Sequence, residues 1–131
     1  MKPILLAMVF ATTLFSLPAG PVWAQQPGSS TCATPGAVVL ANIPANKDDL
    51  IPSVSSQIAG YGRQAKVSNC TISLVCVAID GSDAARDVAT KQCVVVRDRL
   101  VKAGFAKDLI ETARKSPGGG LAPGMVYFTV Q

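Results

Sequence analysis

Four cysteines, Cys32, Cys70, Cys76 and Cys93, in a chain of 131 residues that has no histidine constrain this sequence more than any other feature. An even cysteine count serves either disulfides or a metal site. The spacings here contain no CxxC pair, and there is no histidine to complete a zinc set. The residues ahead of Cys32 favour disulfides. Lys2 provides a positive start, and Ile4 to Leu17 (ILLAMVFATTLFSL) is an apolar run of signal-peptide length. Pro18 to Pro21 break it, and Val22 and Ala24 place compact residues at −3 and −1 of a cleavage site. Residues 1–24 are therefore expected to be a signal peptide, because the run falls short of the ~20 apolar residues that span a bilayer. No cysteine follows the Leu-Pro-Ala-Gly stretch. Neither a lipid anchor nor a transmembrane span is expected after cleavage. An exported chain meets an oxidising compartment, where two disulfides form and persist.

The remaining sequence reads as a flexible leader over residues 25–35 and one domain over residues 36–131. Ala37 to Ala41 is a short apolar strand. Asn46 or Asp48 can cap a helix running from about Asp48 to Ala59, with Pro52 in its first turn and Gly60 and Gly62 ending it. Leu50, Ile51, Val54 and Ile58 give that helix its apolar spacing. Thr71 to Asp80 (TISLVCVAID) is β-branched and nearly continuously apolar, which predicts a covered strand. After the Gly81-Ser82 turn, Asp83 to Ala103 carries Ala89, Cys93, Val96 and Leu100 on one helical stripe, and Gly104 stops it. Asp108 to Ala113 and Met125 to Val130 complete the set as strands. The expected class is α/β, an α+β two-layer sandwich in the order β-α-β-α-β-β, with two helices packed on one mixed sheet.

Four cysteines allow three pairings. Cys70 and Cys76 sit six residues apart on one predicted strand, ~20 Å at about 3.3 Å per residue, whereas a disulfide needs Cα atoms within ~7 Å. Cys76 lies about 13 Å back from the end of its strand, and Cys93 about 15 Å into the next helix. A helix folding back over its strand brings these two level. Cys32 and Cys70 both precede strands whose starts share one end of a right-handed βαβ unit. The expected bridges are Cys76–Cys93 and Cys32–Cys70.

The absence of histidine removes the usual general base, so nucleophilic schemes that pair serine or cysteine with histidine are excluded. Asp80, Asp83 and Asp87 cluster near one turn, but nothing in the sequence makes them converge as a hydrolytic pair. No enzyme activity and no cofactor are expected. With Lys2 removed, the 12 Lys and Arg fall by one against 8 Asp and Glu, a mildly basic balance. Basic residues do not interleave with the aromatics, which are 5% of the chain, so no nucleic-acid partner is expected. The glycines of Pro117 to Pro123 do not follow a strand and open a helix, so they form no phosphate loop.

The order of these pieces resembles the OmpA-like domain, the peptidoglycan-binding module of Gram-negative envelope proteins. Lys47 to Pro52 (KDDLIP) is similar to the family's Leu-x-Pro opening of the first helix. Val75 to Ser82 (VCVAIDGS) resembles its strand that ends in Thr-Asp and enters a Gly-Ser turn. Val95 to Gly104 (VVRDRLVKAG) resembles the Val-x-x-x-Leu-x-x-x-Gly helix end, and Ile110, Pro117 and the terminal VYFTV strand resemble its close. The resemblance implies a periplasmic protein whose partner is peptidoglycan or another envelope protein. In the family, an aspartate after the second strand and an arginine in the second helix grip the diaminopimelate of the peptide stem, through an ammonium–carboxylate pair and a forked guanidinium contact. Asp80 matches the aspartate, with Ile79 in place of the threonine. The arginine position falls at Lys91, Gln92 and Cys93, and Arg86 stands near the family's helix-start asparagine. The implied binding residues are Asp80, Arg86 and Lys91. These departures leave two functions: a degenerate peptidoglycan-binding site, or a structural or protein-interaction module that has lost that ligand. The plainer roles are a turn acceptor for Asp80 and a helix N-cap for Asp83.

Overall fold

Proline at the first helical position and a serine cap explain where the two helices of this fold begin. The computed structural model describes residues 32–131, so the predicted signal peptide and most of the leader lie outside the described residues. Strand β1 is Gly36–Leu40, helix α1 Pro52–Val67, strand β2 Ile72–Val77, helix α2 Asp83–Lys102, strand β3 Ile110–Lys115 and strand β4 Val126–Val130. The predicted order β-α-β-α-β-β holds. Short 3₁₀ turns at Lys47–Asp49 and Lys107–Leu109 precede α1 and β3.

The four strands form one mixed sheet in the order β1-β4-β2-β3. β4 pairs antiparallel with both β1 and β2, while β3 runs parallel to β2. The last strand is thus inserted between the first two. β1 and β2 consequently run the same way, so their starts share one end of the sheet, and α1 and α2 are the crossovers of two βαβ units. The core lies between sheet and helices, where Ile72, Leu74, Cys76, Val126 and Phe128 from the central strands are fully buried. They meet Ile58 of α1 and Val96 and Leu100 of α2. The edge strand β3 is exposed beyond Ile110 and carries Glu111, Arg114 and Lys115, charges that discourage edge-to-edge pairing.

Both disulfides join the predicted cysteines. Cys76–Cys93 bridges β2 to α2 with Cα atoms 5.9 Å apart. That approach is closer than a helix and a sheet normally permit. The buried stripe of α2 begins with Ala85 and Ala89 before Cys93 and enlarges to Val96 and Leu100 after it, and small side chains at the start let the backbones come together there. Cys32–Cys70 ties the segment before β1 to the turn before β2, with Cα atoms 4.4 Å apart, and Ala33 donates to the Ser68 carbonyl alongside.

Two helix boundaries depart from the sequence expectation. Asn46 does cap, but it caps the 3₁₀ turn, accepting from the Asp48 N–H at 3.0 Å, and α1 itself starts at Pro52. Ile51 is left half exposed ahead of the helix. At its far end α1 runs straight through Gly60 and Gly62 to Val67. Gly62 is buried, and a Cβ there would lie 3.0 Å from Cδ2 of Leu100. It is a packing glycine that lets α1 approach α2, not a stop signal. Gly60 has open space around its Cα. Gly60→Ala is therefore expected to raise stability by about 0.5–1 kcal/mol, the usual helix gain over glycine. Gly62→Ala should give no such gain, because Leu100 must shift. Urea unfolding of the two variants checks this, and equal gains would show that the α1–α2 approach is not tight.

Candidate functional site

The residues expected to bind ligand fall where β2 hands over to α2 and along the first half of that helix. β2 ends at Val77, and the Ala78 N–H still donates to the Lys115 carbonyl, which keeps the chain in the sheet plane for one more residue. Ile79 and Asp80 then emerge exposed. Asp80 accepts the Ser82 backbone N–H at 2.8 Å through Oδ1 and so closes an Asx turn. Ser82, not Asp83, is the N-cap of α2, its Oγ accepting from the Ala85 N–H at 3.1 Å. Asp83 stands in the first turn, where a negative charge suits the helix dipole. The Ser82 hydroxyl first, and its backbone N–H second, hold the Asp80 carboxyl below the usual carboxylate range. Asp80 is therefore an exposed, ionised carboxylate, and among the described residues no basic side chain pairs with it.

The two predicted basic partners are engaged elsewhere. Nη2 of Arg86 meets Oδ1 of Asp83 at 2.5 Å, one turn along the same helix. Nζ of Lys91 lies 3.1 Å from Oδ2 of Asp87, an i,i+4 pair. Both pairs are solvent-exposed and weakly held, since surface ion pairs contribute little. Asp83 and Asp87 are thus each matched to a cation, and no converging carboxylate pair forms with Asp80. Among the described residues, no group of His, Cys, Asp or Glu is placed to hold a metal ion.

All three residues at the implied arginine position have other work. Lys91 pairs with Asp87, Cys93 is in the disulfide, and Gln92 donates from Nε2 to the carbonyl of Ile43 at 2.8 Å. That last contact fastens α2 to the loop after β1. Asn42, in the left-handed region at φ 59°, turns the chain so that Ile43 is buried next to it, and asparagine tolerates this conformation better than most residues. Sequence reasoning named Gln92 only as a place lacking an arginine. Its partner lies 49 residues away, so no local pattern pointed to it. Lys91 also borders a groove of about 460 Å³ with Asn46, Lys47, Val94 and Asp98. This continues through Lys47, Val95 and Asp98 into a larger one of about 680 Å³ between the start of α1 and the end of α2. There Nε of Arg99 donates to Oγ of Ser55.

No protein-family model matches the sequence, and no curated protein matches it. Solved structures do match the fold. The OmpA-like domain of FopA1 from Francisella tularensis superimposes with a TM-score of 0.56 at 16% identity, covering 71% of this chain and 70% of that one. The periplasmic domain of Helicobacter pylori MotB matches in two structures, both at 11% identity. One, of its residues 78–256, has a TM-score of 0.55 over 76% of this chain and 77% of that one. The other, of its residues 97–256, has 0.53 over 72% and 78%. The fold of residues 32–131 is OmpA-like.

Proposed function

We propose that this OmpA-like fold serves as a non-catalytic module of the Gram-negative periplasm that engages the peptide stem of peptidoglycan through Asp80. The observation carrying this reading is the state of that carboxylate: ionised, oriented by Ser82, exposed, and not neutralised by any cation among the described residues. An ammonium group is the natural ligand for such an acceptor. The contact that the family makes to the ligand carboxylate has no arginine here. Either Arg86 or Lys91 must exchange its intrahelical partner to supply it. Both partners are exposed, so the exchange costs little. The expected affinity is accordingly weaker than a forked arginine would give.

A second reading is favoured by the engagement of Lys91, Gln92 and Cys93: the fold kept as a protein-interaction or structural module of the envelope, without the cell-wall ligand. Co-sedimentation with purified peptidoglycan sacculi separates the two. Asp80→Asn keeps an acceptor for the Ser82 N–H and removes only the charge. On the first reading the protein sediments saturably, and both the substitution and free diaminopimelate release it. If the folded protein stays in the supernatant, the first reading fails and the second takes its place.

A further inference from the structure

We infer that the opposite flank of α2, where it overhangs β3, is a binding site for a small oxyanion, a carboxylate or phosphate group. A cleft of about 260 Å³ lies there, lined by Thr90, Cys93, Arg97, Thr112 and Arg114 among others. Arg97 comes from the helix and Arg114 from the edge strand, so the two arginines line one cleft from different elements. Among the described residues, no carboxylate lines it. Thr112 and Arg114 pair across the sheet with Leu74 and Cys76, which puts them on the face that the helices pack against. Nη1 of Arg114 donates to Oγ1 of Thr90 at 3.0 Å, and Oγ1 of Thr90 donates to the Arg86 carbonyl, so one guanidinium is held in place by the helix beneath it.

Arg97 supplies the second observation. Its Nε is buried and has no hydrogen-bond partner, and its terminal Nη2 reaches only the exposed Asp98, at 3.7 Å. A buried donor on a charged group without an acceptor is unfavourable and uncommon in folded proteins. Two like charges lining one small cleft, with the nearest carboxylate, Asp98, exposed outside its lining, add to that cost. A single oxyanion entering the cleft offsets both. The planar guanidinium fork matches carboxylate and phosphate oxygens in pairs, and the Thr112 hydroxyl can donate to a further oxygen. The Cys76–Cys93 disulfide ties α2 to β2, and β3 pairs with β2 alongside, so the helix is held over the edge of the sheet. This inference does not rest on peptidoglycan binding at Asp80, which lies at the start of α2.

The test is a titration of the ¹⁵N-labelled protein with inorganic phosphate and, separately, with succinate, at constant ionic strength. Saturable shifts should centre on the amides of Thr90, Arg97, Thr112 and Arg114 and on the Arg97 Nε–H. Saturation by either probe supports the site, and the preferred probe identifies the group it takes. Arg97→Gln and Arg114→Gln should each weaken binding roughly tenfold, the loss of a charge-assisted hydrogen bond, while Asp80→Asn leaves it unchanged. Arg114 is on an exposed edge strand, so its variant is expected to fold normally even if Arg97→Gln does not. Shifts that rise linearly without saturating, that appear equally around Lys47 and Lys102, or that persist unchanged in Arg114→Gln would overturn the inference.

Discussion

Replacing Cys76 and Cys93 together by alanine is expected to destabilise the domain by about 3–5 kcal/mol. The bridge closes a loop with a sequence separation of 17, and on the chain-entropy account a loop of that size contributes about 3 kcal/mol. Packing adds to this. Cys76 is completely buried and Cys93 nearly so, and removing two sulfurs from a close-packed interior leaves a void that the surroundings fill only in part. A domain of this size has a total stability of about 5–15 kcal/mol, so one bridge is a large share of it. The bridge also pins α2 to β2 beside the arginine cleft, which Cys93 lines. Urea unfolding of the double variant against the oxidised parent measures the effect. An unchanged midpoint would mean that the small residues Ala85 and Ala89 hold α2 on the sheet without covalent help.

Phe128→Ala is expected to cost about 3–5 kcal/mol, the range for deleting a large buried aromatic. Phe128 is fully buried on β4, paired with Val38 of β1 on one side and Leu74 of β2 on the other. Its ring packs against Tyr61 of α1 with centroids 5.3 Å apart. It therefore links β1, β2 and α1 through the inserted fourth strand. Val39→Ala, on the neighbouring strand but half exposed, should change stability by no more than about 0.5 kcal/mol. Thermal unfolding of both variants decides. Comparable losses at the two positions would show that the burial of β4 is not what holds the sheet together.

The elements with strong local patterns were legible in the sequence. The nearly continuous apolar run of β2 and the 3.6-period stripe of α2 depend only on neighbouring residues. The cysteine pairing followed from them, because depth along a strand and along its helix is fixed by rise per residue. α1 was legible only in its first half. Gly60 and Gly62 weaken a helix by backbone entropy, and a reading of propensity ends it there. Packing of Gly62 against Leu100 overrides that preference, and the reason lies on another helix. The third strand was legible as Asp108 to Ala113, but not its place at the sheet edge nor the cleft that three of its residues share with Arg97.

The sequence by itself determined the order of the strands and helices from local patterns, and depth along β2 and α2 then led it to the two bridges. Only the tertiary structure decided that the last strand lies between the first two. It also decided that Gln92 is spent on the Ile43 carbonyl, and that Arg97 and Arg114 line one cleft. These depend on contacts between residues far apart in the chain. Such contacts are selected by how much apolar surface the whole sheet and both helices bury together, and no short window of sequence contains that quantity.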